Sequence, residues 1–119
     1  MAAARAAAAK NGSDTVVLLV GPVLTITDAF VVTSGSNTRQ VRTIAEEVEA
    51  AVKNAGGPAP IRIEGLNDAR WVLLDYGDFV VHVFLEEARQ YYQLERLWSD
   101  VERVDWDTSE AVAGAELTR

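Results

Sequence analysis

The hydrophobic pattern of this chain changes period just after residue 34, and that change constrains the fold more than any other feature. Before it stand two short apolar runs, TVVLLV at 15–20 and AFVVTS at 29–34, continuous rather than alternating and rich in β-branched residues. Such runs suit strands buried on both faces. After it, Val41, Ile44, Ala45, Val48, Val52 and Ala55 recur at spacings of three and four, so they share one face of a helix. Ser36 is the expected N-cap, and Gly56-Gly57-Pro58 ends the helix. The outer face carries Arg42, Glu46, Glu49 and Lys53, two opposite-charge pairs four residues apart.

The remaining segments extend this pattern. Val23–Thr27 is a further apolar stretch after Gly21-Pro22, and 61–63 (IRI) reads as a short strand. RWVLLD at 70–75 and DFVVHVF at 78–84 flank Tyr76-Gly77, which predicts a β-hairpin. A last helix is expected from about Glu86 to Val101, with Ala88, Tyr91, Leu94, Trp98 and Val101 as its apolar stripe. The order is strand, strand, helix, strand, hairpin, helix. The helix after Ser34 allows a parallel crossover and the hairpin adds an antiparallel pair. The expectation is an α/β (α+β) fold: a mixed sheet of about five strands with helices packed on it. The alanine-rich start, 1–13, is expected as a frayed helix or mobile arm, with a truncated organellar targeting remnant less favoured. Residues 14–104 form the domain, and 105–119 read as a disordered acidic tail.

Composition excludes several chemistries. There is no cysteine among the 119 residues and a single histidine, His82, which removes disulfides, thiol nucleophiles and multi-histidine metal sites. No apolar run approaches the roughly 20 residues that span a bilayer. The net charge is −7, from 18 acidic and 11 basic residues. An acidic domain binds nucleic acid poorly, because Lys and Arg supply most of that affinity, and suits a basic partner better. Mild acidity also serves solubility alone.

Four clusters invite a functional reading. Ser34-Gly35-Ser36 lies between a strand and a helix N-terminus, where a phosphate can bind, but the lysine of a phosphate loop is missing, and a turn with a cap explains it better. Asp75 and Asp78 flank the hairpin turn. Paired carboxylates can hold Mg²⁺, yet Asp is frequent in tight turns for local hydrogen bonding, and an acidic contact for a cationic partner fits at least as well. His82 reads as a packed, hydrogen-bonded sheet residue. RQYYQLERLW at 89–98 is the densest run of large residues. Arg89, Tyr92, Glu95 and Arg96 are displaced from its apolar stripe, and Tyr and Arg favour protein interfaces.

Taken in order, ITDAFVVTSGSNTRQV (26–41), Glu64-Gly65, WVLLDYGDFVVHVF (71–84) and RQYYQLERLW (89–98) resemble the ribosomal silencing factor family, RsfS, also called Iojap-like. With the strand at 15–20 they cover most of residues 14–98. The resemblance implies a cytoplasmic binding factor with a nucleotidyltransferase-like topology. It would dock on ribosomal protein uL-fourteen of the large ribosomal subunit, block subunit joining and lower translation when nutrients are scarce. Organellar relatives act in ribosome biogenesis. No catalytic residue, metal, cofactor, membrane or specific nucleic acid is implied, and a homodimer of the free protein is a further expectation. The alternative is a nucleotide-binding or nucleotidyltransferase-like enzyme. It is disfavoured because no Asp-x-Asp strand follows Gly35-Ser36; the chain there is in its amphipathic helix, with Glu46, Glu47 and Glu49. Two departures from the family pattern are Leu19-Val20, where many members carry Asp-Val, and the short, alanine-rich start.

The docking surface is expected on the hairpin tip and the outer side of the C-terminal helix, with the two side by side. The hairpin would supply Trp71, Asp75, Tyr76 and Asp78, and the helix Arg89, Tyr92 and Glu95. Aromatic rings would anchor, and Asp78 and Glu95 would face Lys or Arg of the partner. Trp98 is assigned to the core, and Arg42 to a solvated face where its removal is neutral.

Overall fold

The computed structural model describes residues 2–9, 13–21 and 27–104. The expected turn at Asn11-Gly12, most of the stretch from Val23 and the tail at 105–119 lie outside them. In chain order the elements are α1 (Ala2–Ala9), β1 (Ser13–Leu19), β2 (Ala29–Gly35), α2 (Thr38–Asn54), β3 (Arg62–Glu64), β4 (Trp71–Asp75), β5 (Phe79–Leu85), α3 (Glu86–Tyr92), α4 (Leu94–Leu97) and β6 (Glu102–Val104). The sheet has six strands in the order β3-β4-β5-β2-β1-β6. β2 and β5 run parallel, and every other neighbouring pair is antiparallel. The fold is the expected mixed α+β sheet with one extra strand. β6 is three residues long and carries two charges, too little for a strand signal, and it forms by pairing with Val17–Leu19.

The two continuous apolar runs become β1 and β2, neighbours inside the sheet, and all seven residues of β2 are buried. Helices cover the sheet on both sides. On one face Val17, Val31, Val72, Leu74, Val81 and Val83 meet Val41, Ile44, Ala45, Val48 and Val52 of α2. On the other, Leu18, Val20, Phe30, Val32 and Phe84 meet Ala88, with Leu94, Trp98 and Val101 packed against them.

Three expectations are corrected here. The alanine-rich start is no mobile arm over Ala2–Ala9: Ala3, Ala4, Ala6 and Ala7 are buried beside α2. Eight residues are too few for an isolated helix, so packing supplies what length does not. The cap of α2 is Asn37, not Ser36. Its Oδ1 accepts from the Gln40 amide at 2.8 Å, while the Ser36 amide and hydroxyl both donate to the Gln40 side chain. Arg42 is no idle surface residue. It donates to the carbonyls of Leu66 and Asn67, at 3.1 and 2.6 Å, and so ties α2 to the loop between β3 and β4. That loop turns at Gly65, whose φ is 86° and where an added Cβ would collide with the Trp71 carbonyl oxygen. The Glu64-Gly65 pair thus sets the start of β4.

Candidate docking surface

The hairpin forms as expected, but it does not bring its tip to the C-terminal helix. Asp75, Tyr76 and Asp78 lie at the turn before β5, and α3 begins only after the seven residues of β5. Six residue steps of strand separate the two ends by roughly 20 Å. The seven expected contact residues therefore fall into two groups. Trp71, Arg89, Tyr92 and Glu95 gather at the α3 end; Asp75, Tyr76 and Asp78 sit at the tip.

At the tip, two of the three are occupied locally. Asp75 accepts from the Gly77 amide at 2.9 Å and pairs with Arg62 at 3.2 Å, the ordinary work of an Asp in a turn. Gly77 supplies the positive φ of 86°. Tyr76 is not an exposed anchor: it is buried, stacked on Phe79, and its hydroxyl has no partner. Burial, with Glu49 nearby, raises its pKa. Asp78 is exposed.

At the other end, the expected single helix is broken. Gln93 adopts a left-handed conformation (φ 49°, ψ 49°) between α3 and α4. Leu94, Trp98 and Val101 remain against the sheet, while Tyr91, expected in their stripe, is 80 % exposed. The break is clamped from inside. Arg89 pairs with Glu95 through two bonds, Nε to Oε1 at 2.8 Å and Nη2 to Oε2 at 2.9 Å, and its Nη1 donates to Ser34 Oγ at 3.0 Å. The Arg89 side chain is only 10 % exposed, so neither member of this pair offers a free charge. The guanidinium beside Glu95 lowers its carboxyl pKa. Ser34, Arg89 and Glu95 line a cleft of about 840 Å³ whose wall also carries Arg96 and Arg103.

Beside this clamp the aromatic side chains form a ladder. His82 is buried on β5, as expected, and its Nδ1 accepts from the Trp71 indole N–H at 3.1 Å. Since Nδ1 is the acceptor, the proton of the neutral ring sits on Nε2. Burial lowers the pKa of His82 to about 4. Trp71 stacks on Phe84 at 4.8 Å and meets Tyr92 at 4.9 Å, and Tyr92 packs edge-on against Tyr91. Tyr91, Tyr92 and Leu97 are the large apolar side chains left exposed on α3 and α4. Tyr91 and Leu97 were not expected there. The helix that was to bury Tyr91 ends at Gln93, a break which no Gly or Pro announces in the sequence. Among the described residues no group of three or more His, Asp or Glu is placed to hold a metal ion, and no helix is long and apolar enough to cross a membrane.

The fold of this chain is also found in solved bacterial proteins. A crystal structure from Chromobacterium violaceum matches with a TM-score of 0.78 at 35% identity, over 82% of this chain and 81% of that one. A second, from Bacillus halodurans, matches with a TM-score of 0.74 at 37% identity, over 87% and 92%. The chain belongs to the RsfS family: the model described as "Ribosomal silencing factor during starvation" matches residues 1–118. Ribosomal silencing factor RsfS of Bacillus subtilis is 38% identical over 105 residues, 88% of each chain. A mouse protein named for mitochondrial assembly of the ribosomal large subunit is 33% identical over 92 residues, 76% of this chain and 40% of the mouse protein.

Proposed function

We propose that this chain is a cytoplasmic, non-catalytic silencing factor. It binds the large ribosomal subunit through ribosomal protein uL-fourteen, blocks joining of the small subunit and represses translation when nutrients are limiting. The observation that supports this reading most is family membership over nearly the whole chain. The name of the mouse relative points to the same subunit. The excess of acidic residues suits a basic partner.

The docking surface is centred on the α3 end. Tyr92 and Trp71 anchor, and Tyr91 and Leu97 extend the apolar area. Arg89 and Glu95 hold that surface in shape rather than meet the partner. Asp78, with Asp75 and Tyr76 behind it, is a second contact at the tip, reached only by a partner that spans the strand length between them. The test is co-sedimentation with isolated subunits at two salt concentrations. The expected result is binding to large subunits and not to assembled ribosomes, with slower subunit association. Equal binding to both forms, with association unaffected, would overturn the reading.

A further inference from the structure

The α3–α4 side of the sheet is covered over β1 and β2, and a groove of about 450 Å³ lies beyond that cover. Phe30, Leu73, Val80 and Ile61 give it apolar walls, and Thr27 and His82 also line it. Both of these hold a buried polar atom with no hydrogen-bond partner, Thr27 Oγ1 and His82 Nε2. Thr27 is 7% exposed and His82 4%. Unpartnered buried polar atoms are rare, because each forfeits its hydrogen bonds to water without replacement. Of the three such atoms among the described residues, two are on residues that line this one groove. The larger cleft beside Arg89 differs, because its Arg89 and Glu95 satisfy each other.

The chemistry of the missing partner can be read from these groups. Trp71 donates to Nδ1 of His82, which leaves Nε2 as a proton donor. The partner must therefore present an acceptor. The charged groups of the groove, Arg62 and Asp75, pair with each other at 3.2 Å, so they offer no uncompensated charge to an ion. The walls are apolar and the volume is in the range of small-ligand sites. We propose that this groove binds a small, uncharged, mostly apolar molecule through a carbonyl oxygen that accepts from His82 Nε2–H and the Thr27 hydroxyl. The site is separate from the ribosome-docking reading and does not rest on it. His82 links the two places, since the Trp71 that it holds stacks against Tyr92.

Acetophenone tests this directly, with ethylbenzene as the same shape without the carbonyl and benzoate as the charged form. Each is titrated into the full chain, followed by amide shifts and by the imidazole nitrogens of His82. The expected result is saturable binding of acetophenone with shifts at Phe30, Leu73, Val80 and Gly77 and movement of the His82 Nε2 signal. Ethylbenzene and benzoate should bind at least fivefold more weakly. Thr27→Val, which keeps the shape of the side chain, should weaken acetophenone at least threefold while the amide spectrum stays that of the folded protein. Equal binding of acetophenone and ethylbenzene overturns the proposal. So do shifts confined to other surfaces, or the absence of saturation, which would mark the groove as filled by water or reserved for part of a macromolecular partner.

Discussion

The two faces of the sheet bury comparable side chains in different ways. Under α1 and α2, Val31, Val72, Leu74, Val81 and Val83 meet an unbroken helix of 17 residues along its Val41-Ile44-Ala45-Val48-Val52 stripe. Under α3 and α4, the covering helix breaks after seven residues, an ion pair spans the break, and a histidine sits in the sheet with one nitrogen satisfied and the other not. The first face follows the apolar periodicity, and removing a side chain there costs stability alone. The second places polar groups where the cover is incomplete, and it leaves Tyr91, Tyr92 and Leu97 in solvent. The proposed docking surface thus lies on the opposite side of the sheet from the face that follows the apolar periodicity.

Substitutions on the two faces should separate these roles, beginning with the largest effect. Ile44→Ala opens a cavity in a fully buried site and should cost about 2–5 kcal/mol in denaturant unfolding. Ribosome binding per folded molecule should not change. Acid should act on the other face. The folded-state pKa of His82, about 4, lies below its ordinary 6.5, so the unfolded chain takes up the proton first. Stability should be level above pH 6.5 and fall as the pH drops toward 4, by roughly 3 kcal/mol in total. His82 is the single histidine of the chain, so His82→Phe should flatten the slope between pH 6.5 and 5. An unchanged slope would place the titrating group elsewhere.

The ion pair comes next. Glu95→Gln removes the carboxylate that the buried Arg89 side chain holds through two bonds and should cost about 1.5–3 kcal/mol. Because the pKa of Glu95 is lowered in the folded state, its contribution is present above the ordinary carboxylate range and lost as the pH falls below it. Guanidinium denaturation at neutral pH and in acid measures both. Tyr92→Ala should weaken ribosome binding by about 1–2 kcal/mol, read by co-sedimentation. The smallest effect is expected for Arg42→Ala. It loses two hydrogen bonds to the 66–67 loop, about 1 kcal/mol of stability, with docking unchanged.

These contrasts also mark what the sequence made legible. The first face was readable because it rests on periodicity: continuous β-branched runs gave β1 and β2, and the three-and-four spacing gave all five buried residues of α2. Gly77 between two β-rich runs gave the hairpin. The second face depends on facts with no local signature. Gln93 takes a left-handed conformation without being Gly or Asn, so the helix read as continuous and Tyr91 fell into the wrong stripe. Arg89 and Glu95 stand six apart, outside the helical pair spacings, and meet only because of that break. Tyr76 and Asp78 looked adjacent to α3 in sequence, yet the extended length of β5 carries them away from it. The alanine helix lacks large apolar side chains, so nothing in its own composition announced that it would be buried.

The central claim is that the α3 end of the second face is the surface that meets the ribosome. Subunit association followed by light scattering, with the full chain added to purified large subunits before small subunits, tests it most directly. The wild-type chain should suppress the rise in scattering. Tyr92→Ala at the same concentration should suppress it far less, and Ala50→Lys on the exposed side of α2 should act as the wild type does. If Tyr92→Ala blocks association as fully as the wild type while Ala50→Lys does not, docking belongs to the α2 side and the account is contradicted.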